Sequence, residues 1–395
     1  MYNKKIKTSL KILYLGAYSK GIEYPRNNNL IRGLRLNGHQ VIECHFSLAE
    51  SFSSRIGIVR NKWDLISFLL RLIASYAVLT WKFLQSPQTD VIIVGHPGYF
   101  HVHYAWFLRL LFNKKAILVY DAFIPLYEAL VEDRRLFRPD SIFARLIQTL
   151  EASCCRCCNV CLTDTEEHRR YLIYEFGLSP ESISRVFVGA TINQRRKRLS
   201  SLTTSETYNV LYVGTYIPLH GVETILKAAA YLIDDPHIRL LLVGSGQLRN
   251  KMADLFSQLK LTNVVFQDWV PTDKLSSYIG TFDLSLGIFG NSPKTARVIP
   301  SKIFDACAVG VPFITADTPA IREVFHHGEN AYLVPPENPE SLAEAIVHLK
   351  SHPILAKEIA EHAWKTGRDL FSPTALGRNL TDSIEKAMSL RKAAE

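Results

Sequence analysis

The residues best suited to chemistry lie between Asn291 and Pro312. The run Asn-Ser-Pro-Lys294-Thr-Ala-Arg297-Val-Ile-Pro300-Ser301-Lys302-Ile-Phe-Asp305 brings three cations to the start of a short helix. Pro300 and Ser301 set that start, and Gly310 with Pro312 sets its stop, so a basic loop leads directly into it. A lysine in the first turn opposes the helix dipole, which makes an anion the natural partner of Lys302. Asp305, three residues on, shares its face and can accept bonds from ribose hydroxyls while Lys302 meets phosphate. An ordinary ion pair between the two on a solvated face is the plain alternative. Three small-residue loops precede this segment: Gly214 to Gly221 with Thr215 and His220, Gly244-Ser-Gly246, and Phe266 to Pro271 with Trp269. Each follows an apolar run and leads into a helix, so backbone can approach a ligand and the helix N-terminus can hold phosphate. Trp269 offers a ring to a base. Taken singly, each glycine loop reads equally well as a tight turn.

Other nucleotide and metal signatures fail on particular residues. Gly16 and Gly21 have the spacing of P-loop glycines, but Ile22 and Glu23 stand where Lys and Ser/Thr are needed. Arg249 replaces the third glycine after Gly244 and Gly246, which excludes the usual dinucleotide turn. No Asp-x-Asp occurs to clamp a metal on a nucleotide-sugar. Cys154, Cys155, Cys157, Cys158 and Cys161 lack a second ligand cluster at zinc spacing and read as small residues on a buried helix running into a strand. His96, His101 and His103 have no carboxylate or thiol to complete a metal set; they line a cleft or cap a helix.

The elements that must position these groups alternate. Strand-like runs at Ile12–Leu15, Val41–Cys44, Val91–Val94, Ala116–Tyr120, Val160–Thr163 and Val186–Val188 are separated by helix-length segments, which argues for a parallel sheet. Residues 191–208, with Arg195-Arg196-Lys197-Arg198 and a Ser/Thr tract, read as a linker. The alternation then restarts with runs at Val210–Val213, Leu240–Val243, Val264–Phe266, Leu284–Ile288, Phe313–Thr315 and Tyr332–Val334, and Phe371 to Met388 forms a last amphipathic helix. The expectation is two doubly wound α/β domains facing a cleft, 1–190 and 209–370, followed by a terminal segment, 371–395.

The 395 residues are 47% hydrophobic and 21% charged with 20 Gly and 18 Pro, which excludes disordered and low-complexity classes. The net charge of +9 is uneven. Residues 1–200 carry 28 basic and 16 acidic side chains, the remainder 18 and 21, so an anionic partner belongs to the first half. Nothing resembles an RNA-binding motif. The apolar run after Lys4, Lys5, Lys7 and Lys11 is too short for a signal peptide, and an odd cysteine count fits a reducing cytosol. Trp63 to Ser86 is the most apolar stretch, yet Asp64, Ser67, Arg71, Ser75 and Lys82 form a narrow polar stripe, and Arg71 near its centre disfavours a spanning helix. A helix buried in the domain is the preferred reading; one lying in a membrane interface is the alternative.

With these motifs in order, the chain resembles the family 4 (group 1) glycosyltransferases. The resemblance rests on Val-Gly214-Thr…His220-Gly221-Val-Glu-Thr-Ile-Leu-Lys-Ala-Ala, Leu-Leu-Val-Gly244-Ser-Gly246-Gln-Leu-Arg, Val-Val-Phe…Trp-Val-Pro and Ile-Pro-Ser-Lys302-Ile-Phe-Asp305-Ala-Cys-Ala-Val-Gly-Val-Pro-Phe-Ile-Thr. Tyr24-Pro-Arg…Leu-Arg-Leu-Asn-Gly-His39 and Leu-Thr-Asp164-Thr fit as well. The resemblance implies a GT-B fold with the final helix crossing back to the first domain. It further implies a nucleotide-sugar donor on the C-terminal domain, a lipid-linked or polysaccharide acceptor on the N-terminal domain, and retention of anomeric configuration without a bound metal or other cofactor. The donor set it implies is Gly214, Thr215, Gly244, Gly246, Trp269, Lys294, Arg297, Ser301 and Asp305, with Lys302, His220 and Asp121 as catalytic groups and Gly21 and His96 on the acceptor side. Two departures stand out. The family's Arg and Lys on the first donor loop are Thr215 and His220, so His220, Lys302 and Lys294 must meet the diphosphate; the family's Glu-x7-Glu falls on Arg297 and Asp305. Asp121 either orients a sugar hydroxyl or assists proton transfer, or simply caps the following helix. The basic first half implies peripheral contact with an anionic membrane from the cytoplasmic side. An epimerase or phosphorylase of the same fold, and a non-catalytic anionic-surface binder, are the competing readings.

Overall fold

The computed structural model describes residues 9–20, 25–48, 62–133, 136–190 and 207–394. Gly21 and Arg195 to Arg198 lie outside the described residues, as does most of the segment expected to be a linker.

The chain divides into two compact units. The first runs β1 (Lys11–Gly16), α1 (Pro25–Leu36), β2 (Gln40–His45), α2 (Lys62–Gln85), β3 (Val91–Val94), α3 (Val102–Phe112), β4 (Ile117–Asp121), α4 (Ile142–Arg156), β5 (Val160–Thr163), α5 (Glu166–Phe176) and β6 (Ile183–Arg185). The second runs β7 (Tyr208–Val213), α6 (Val222–Tyr231), β8 (Ile238–Val243), α7 (Arg249–Gln258), β9 (Val264–Gln267), α8 (Thr272–Ile279), β10 (Leu284–Leu286), α9 (Pro293–Arg297), α10 (Ser301–Val309), β11 (Phe313–Ala316), α11 (Pro319–Arg322), β12 (Tyr332–Val334), α12 (Pro339–Ser351) and α13 (Pro353–Thr366). The last helix, α14 (Pro373–Ala394), belongs to the first unit, and Thr165–His168 belongs to the second.

Each unit is built on a six-stranded sheet, ordered β2-β1-β3-β4-β5-β6 and β12-β11-β10-β7-β8-β9, and every strand pair is parallel. The central strands are buried on both faces, as Val91-Ile-Ile-Val94 shows, because helices cover both sides. In both units the strand order reverses beside the first strand, and open sheets of this kind bind ligands at such a point.

α14 lies against α1. A Cβ on Gly33 would sit 2.1 Å from the Pro373 carbonyl oxygen and one on Gly377 would sit 2.2 Å from the Gly33 carbonyl oxygen, so the two backbones touch where only glycine fits. Asn37 donates to Thr374 O at 2.9 Å and His39 Nε2 is 2.9 Å from Thr381 Oγ1, which fixes the register of the crossing.

Several expectations need correction. The strand expected at Val186–Val188 falls at Ile183–Arg185, with Val186 N still bonded to Thr163 O at 2.8 Å. The segment before Pro300 is a short helix, because Ser292 and Thr295 close a capping box and Pro293 opens the turn. The terminal helix begins at Pro373; Phe371 ends the preceding turn with its ring 4.6 Å from that of Phe304. The largest correction concerns α2, which is not a buried helix: only 17% of its apolar window Ile66–Gln85 is buried. Of its polar stripe, Asp64, Ser67 and Arg71 are exposed, while Ser75 and Lys82, with the neighbouring Tyr76, bond into the domain. Ser75 Oγ is 3.1 Å from His101 Nε2, Tyr76 donates to Phe100 O at 2.7 Å and Lys82 donates to His45 O at 2.7 Å.

Candidate active site

In the second unit, the loops following β7, β8 and β9 are laced together through their backbones. Gly214 N donates to Val243 O at 3.0 Å, Tyr216 N to Ser245 O at 2.9 Å and Gly244 N to Gln267 O at 3.0 Å. This lacing requires glycine. Gly244 has φ +127°, and a Cβ there would lie 2.2 Å from the Gly214 carbonyl oxygen. One on Gly214 would lie 2.6 Å from Lys302 Nζ. Gly246 packs on Tyr216 N in the same way, at 2.6 Å, with the Thr215 methyl 2.9 Å off.

Lys302 is the centre of this arrangement. It sits in the first turn of α10, whose N-cap Pro300 provides no side-chain cap, with Ser301 exposed just before it. The residue is 9% exposed and, among the described residues, Nζ has no hydrogen-bond partner; its neighbour is the Tyr212 ring, 4.0 Å from Nζ to the centroid. The ion pair with Asp305, the plain alternative to a ligand-binding role, is not made. Asp305 is itself buried one turn along. Burial without a counter-charge holds the Lys302 ammonium well below its ordinary pKa.

His220 closes the other side. It ends the turn Pro218–His220, with Nδ1 2.9 Å from the Tyr212 hydroxyl and in contact with Thr215 O. The Tyr212 hydroxyl also donates to Thr215 O, at 3.1 Å. Burial first, then the positive charges of Lys302 and Lys294, push the imidazole well below its usual range. His220 is therefore neutral at pH 7 without a bound anion, and the phosphate charge expected of it is not present there. With Nδ1–H given to the Thr215 carbonyl, Nε2 keeps a lone pair.

Lys294 and Arg297 share α9, and the Arg297 carbonyl accepts from Thr165 Oγ1 at 2.5 Å. Trp269 is half-exposed, and its ring edge lies against Gly244. Three contributors were not legible as site residues. Arg249, seen in sequence only as a missing glycine, stacks its guanidinium 4.1 Å from the Phe266 ring centroid. Tyr212 underlies Lys302, although on the strand it reads as one more core aromatic. Glu323 accepts from Glu166 N and Glu167 N at 2.8 and 3.0 Å, and no local pattern announces that contact.

The remaining candidates, Asp121 and His96, belong to the first unit. Asp121 caps no helix. It is fully buried and receives Arg26 Nε at 2.8 Å and Nη2 at 2.7 Å, while Arg26 Nη1 donates to Val186 O at 2.7 Å. Burial raises the Asp121 pKa and Arg26 opposes that rise. His96 packs edge-on to Phe123 at 5.3 Å, and its carbonyl accepts from Asn27 Nδ2 at 2.7 Å. His101 and His103 bond to Ser75 and Ser153, and the seven cysteines are free thiols. Among the described residues no group of three or more His, Cys, Asp or Glu could hold a metal ion.

Two doubly wound units, each on a six-stranded parallel sheet, make the GT-B fold, and the glycine-lined loops around Lys302 lie on the second of them. Residues 207–352 match the family "Glycosyl transferases group 1". An uncharacterized glycosyltransferase of Methanocaldococcus jannaschii is 24% identical over 46% of this chain and 45% of its own length. The chitobiosyldiphosphodolichol beta-mannosyltransferase of Candida albicans is 22% identical over 77% and 70%, and the D-inositol 3-phosphate glycosyltransferase of Thermomonospora curvata is 24% identical over 53% of each. The match thus spans about half the length of two of these relatives. Among solved structures, Anabaena HepE in complex with UDP-glucose superposes with a TM-score of 0.64 at 14% identity, covering 95% of this chain and 99% of its own. Sucrose-phosphate synthase from Thermosynechococcus elongatus superposes with a TM-score of 0.69 at 16% identity, covering 97% and 100%.

Proposed function

We propose that the protein transfers a glycosyl group, with retention of configuration, from a UDP- or GDP-sugar to a lipid-linked or polysaccharide acceptor, and that it works peripherally at the cytoplasmic face of a membrane. The observation that carries the donor half is Lys302: a buried ammonium with no hydrogen-bond partner, at an uncapped helix N-terminus beside glycine-lined backbone. Such a site costs the protein free energy until an anion enters. As the glycosidic bond to the diphosphate breaks, charge grows on the leaving oxygen, and Lys302 with the α10 N–H groups stabilises it more than the ground state. Lys294 adds positive potential, Trp269 stacks on the base, and Asp305 accepts from the ribose. We assign the diphosphate to these groups rather than to a divalent ion. The relatives' names, a mannosyltransferase acting at a diphosphodolichol and an inositol phosphate glycosyltransferase, support transfer of sugars to phosphorylated or lipid-borne acceptors. HepE with UDP-glucose supports a uridine nucleotide.

A panel of UDP-, GDP- and other nucleotide-sugars, each with and without EDTA, tests this through the melting temperature. One donor is expected to stabilise the protein equally in both arms, and turnover with a lipid-linked acceptor is expected to give a product of unchanged anomeric configuration by NMR. Stabilisation by none of the panel, or only with a divalent metal, overturns the donor assignment. An epimer formed without acceptor moves the reaction to an epimerase.

A further inference from the structure

The α2 helix is built inside out. Trp63, Ile66, Leu70, Ile73, Trp81 and Leu84 recur at helical steps on one face and all are exposed, four of them by 60% or more. The opposite, partly polar face carries the bonds from Ser75 and Lys82 into the domain, with Leu79 and Phe83 filling the core. Side chains of α3 and α4 enter the same core, so the three helices lie on one side of the first sheet. Both continue the apolar exterior: Trp106, Phe107 and Leu111 on α3, and Ile142, Phe143 and Leu146 on α4 are exposed. Soluble monomers rarely display a contiguous apolar surface of this extent.

From this geometry we infer that the outer face of α2, α3 and α4 lies in the headgroup region of an anionic phospholipid bilayer, with α2 parallel to the surface; the inference builds on the membrane-side reading above and names the face that makes the contact. Four observations favour this occupant. First, Arg71 and Arg145 are exposed on these helices, whereas Asp64 is their one exposed carboxylate among the described residues, and Asp140 just before α4 is paired with Arg138. Second, Trp63 and Trp81, near the two ends of α2, and Trp106 on α3 place three indoles on this face, side chains suited to a water–lipid boundary. Third, α2 has the length and hydropathy to cross a membrane, but crossing would strip Ser75, Tyr76 and Lys82 of their partners in the domain. Lying flat keeps every one of those bonds and buries only the apolar face, over a length of about 36 Å at 1.5 Å per residue. Fourth, the first half of the chain carries the protein's excess of basic residues, which complements anionic lipid.

The experiment is co-sedimentation of the full chain with vesicles of phosphatidylcholine alone or with about 30% phosphatidylglycerol, together with quenching of tryptophan fluorescence by lipids brominated at shallow or deep acyl positions. The variant Trp63→Ser/Ile73→Ser/Trp81→Ser changes exposed residues only, and its melting temperature and nucleotide-sugar stabilisation are expected to match wild type. Wild type is expected to pellet with the phosphatidylglycerol vesicles and be quenched by shallow bromines, while the variant partitions at least tenfold more weakly. Lys114→Glu/Lys115→Glu, at exposed positions after α3, is expected to weaken binding to anionic vesicles alone. Equal pelleting of the variant and wild type, strongest quenching by deep bromines, or a wild-type dimer that the variant converts to monomer overturns the inference, the last making the face a contact between two copies. Loss of donor stabilisation with vesicle binding intact instead refutes the glycosyltransferase reading and leaves the surface standing.

Discussion

Lys302 shows how a residue can be costly to the folded chain and necessary to its chemistry. An unpaired ammonium out of water is a net cost, so Lys302→Met is expected to raise the melting temperature of the nucleotide-free protein while lowering kcat about 10²–10³-fold, the effect of removing one preorganised stabiliser of developing negative charge. Its depressed proton affinity fixes a sign. Between that depressed value and the unfolded value of 10.5 the folded chain holds fewer protons than the unfolded one, so the penalty is largest at low pH and fades as pH rises through the window. A bound diphosphate restores the charge. Donor binding is therefore expected to take up protons, with apparent affinity falling as pH rises, and calorimetry in buffers of different ionisation enthalpy checks this; a proton count unchanged in Lys302→Met assigns the uptake elsewhere. Glu151 carries the opposite sign. Burial lifts its carboxyl to about 7 although Leu126 N and Tyr127 N donate to it. The folded state holds the extra proton, so its contribution to stability declines as pH climbs from about 4.5 to about 7. Glu151→Gln is expected to flatten that part of the stability curve measured by urea unfolding. The positions of Lys302, Asp305 and the glycines were legible because type and spacing are local. The charge state of His220 was not, since it depends on how deeply the ring is buried and which cations surround it.

At the scale of elements, the contact of α14 with α1 is set by two glycines whose backbones touch. Gly33→Val places its side chain against the Pro373 carbonyl, and with no flexible neighbour to yield, a loss of about 1–3 kcal/mol is expected in chemical denaturation. Gly38→Ala, where a Cβ meets nothing within 4 Å but φ is +87°, is expected to cost less and to act through backbone strain alone. Twelve parallel strands were legible to within a few residues because fully buried strands read as continuous apolar runs. The exceptions have local causes: a capping box turned the expected basic loop into α9, and a short edge strand slipped to Ile183–Arg185 where pairing with β5 allowed it. The orientation of α2 lay beyond the reach of periodicity, which locates a polar and an apolar stripe without saying which one meets the domain.

Across the whole molecule, sequence order and spatial unit diverge. α14 follows all of the second unit in sequence but is part of the first, so residues 1–187 on their own lack the helix that packs on α1 and against β4 and β5. They are expected to bind the dye ANS and lack a cooperative melt, and a peptide of residues 373–395 added in trans is expected to reverse both; a cooperative melt without the peptide would show that α14 is not needed to complete the core. The sequence by itself determined the two parallel α/β units, the loops that carry glycine, cation and carboxylate, the family they resemble and the half of the chain that holds the positive charge. All of these follow from residue type at short separation. Only the tertiary structure decided that Asp121 is bound by Arg26 and that Lys302 has no counter-ion. It likewise decided that His220 is neutral and that α2 turns its apolar face outward. Each of these depends on what a distant part of the chain places beside a side chain, and solvation, charge and packing are set by those neighbours rather than by position along the sequence.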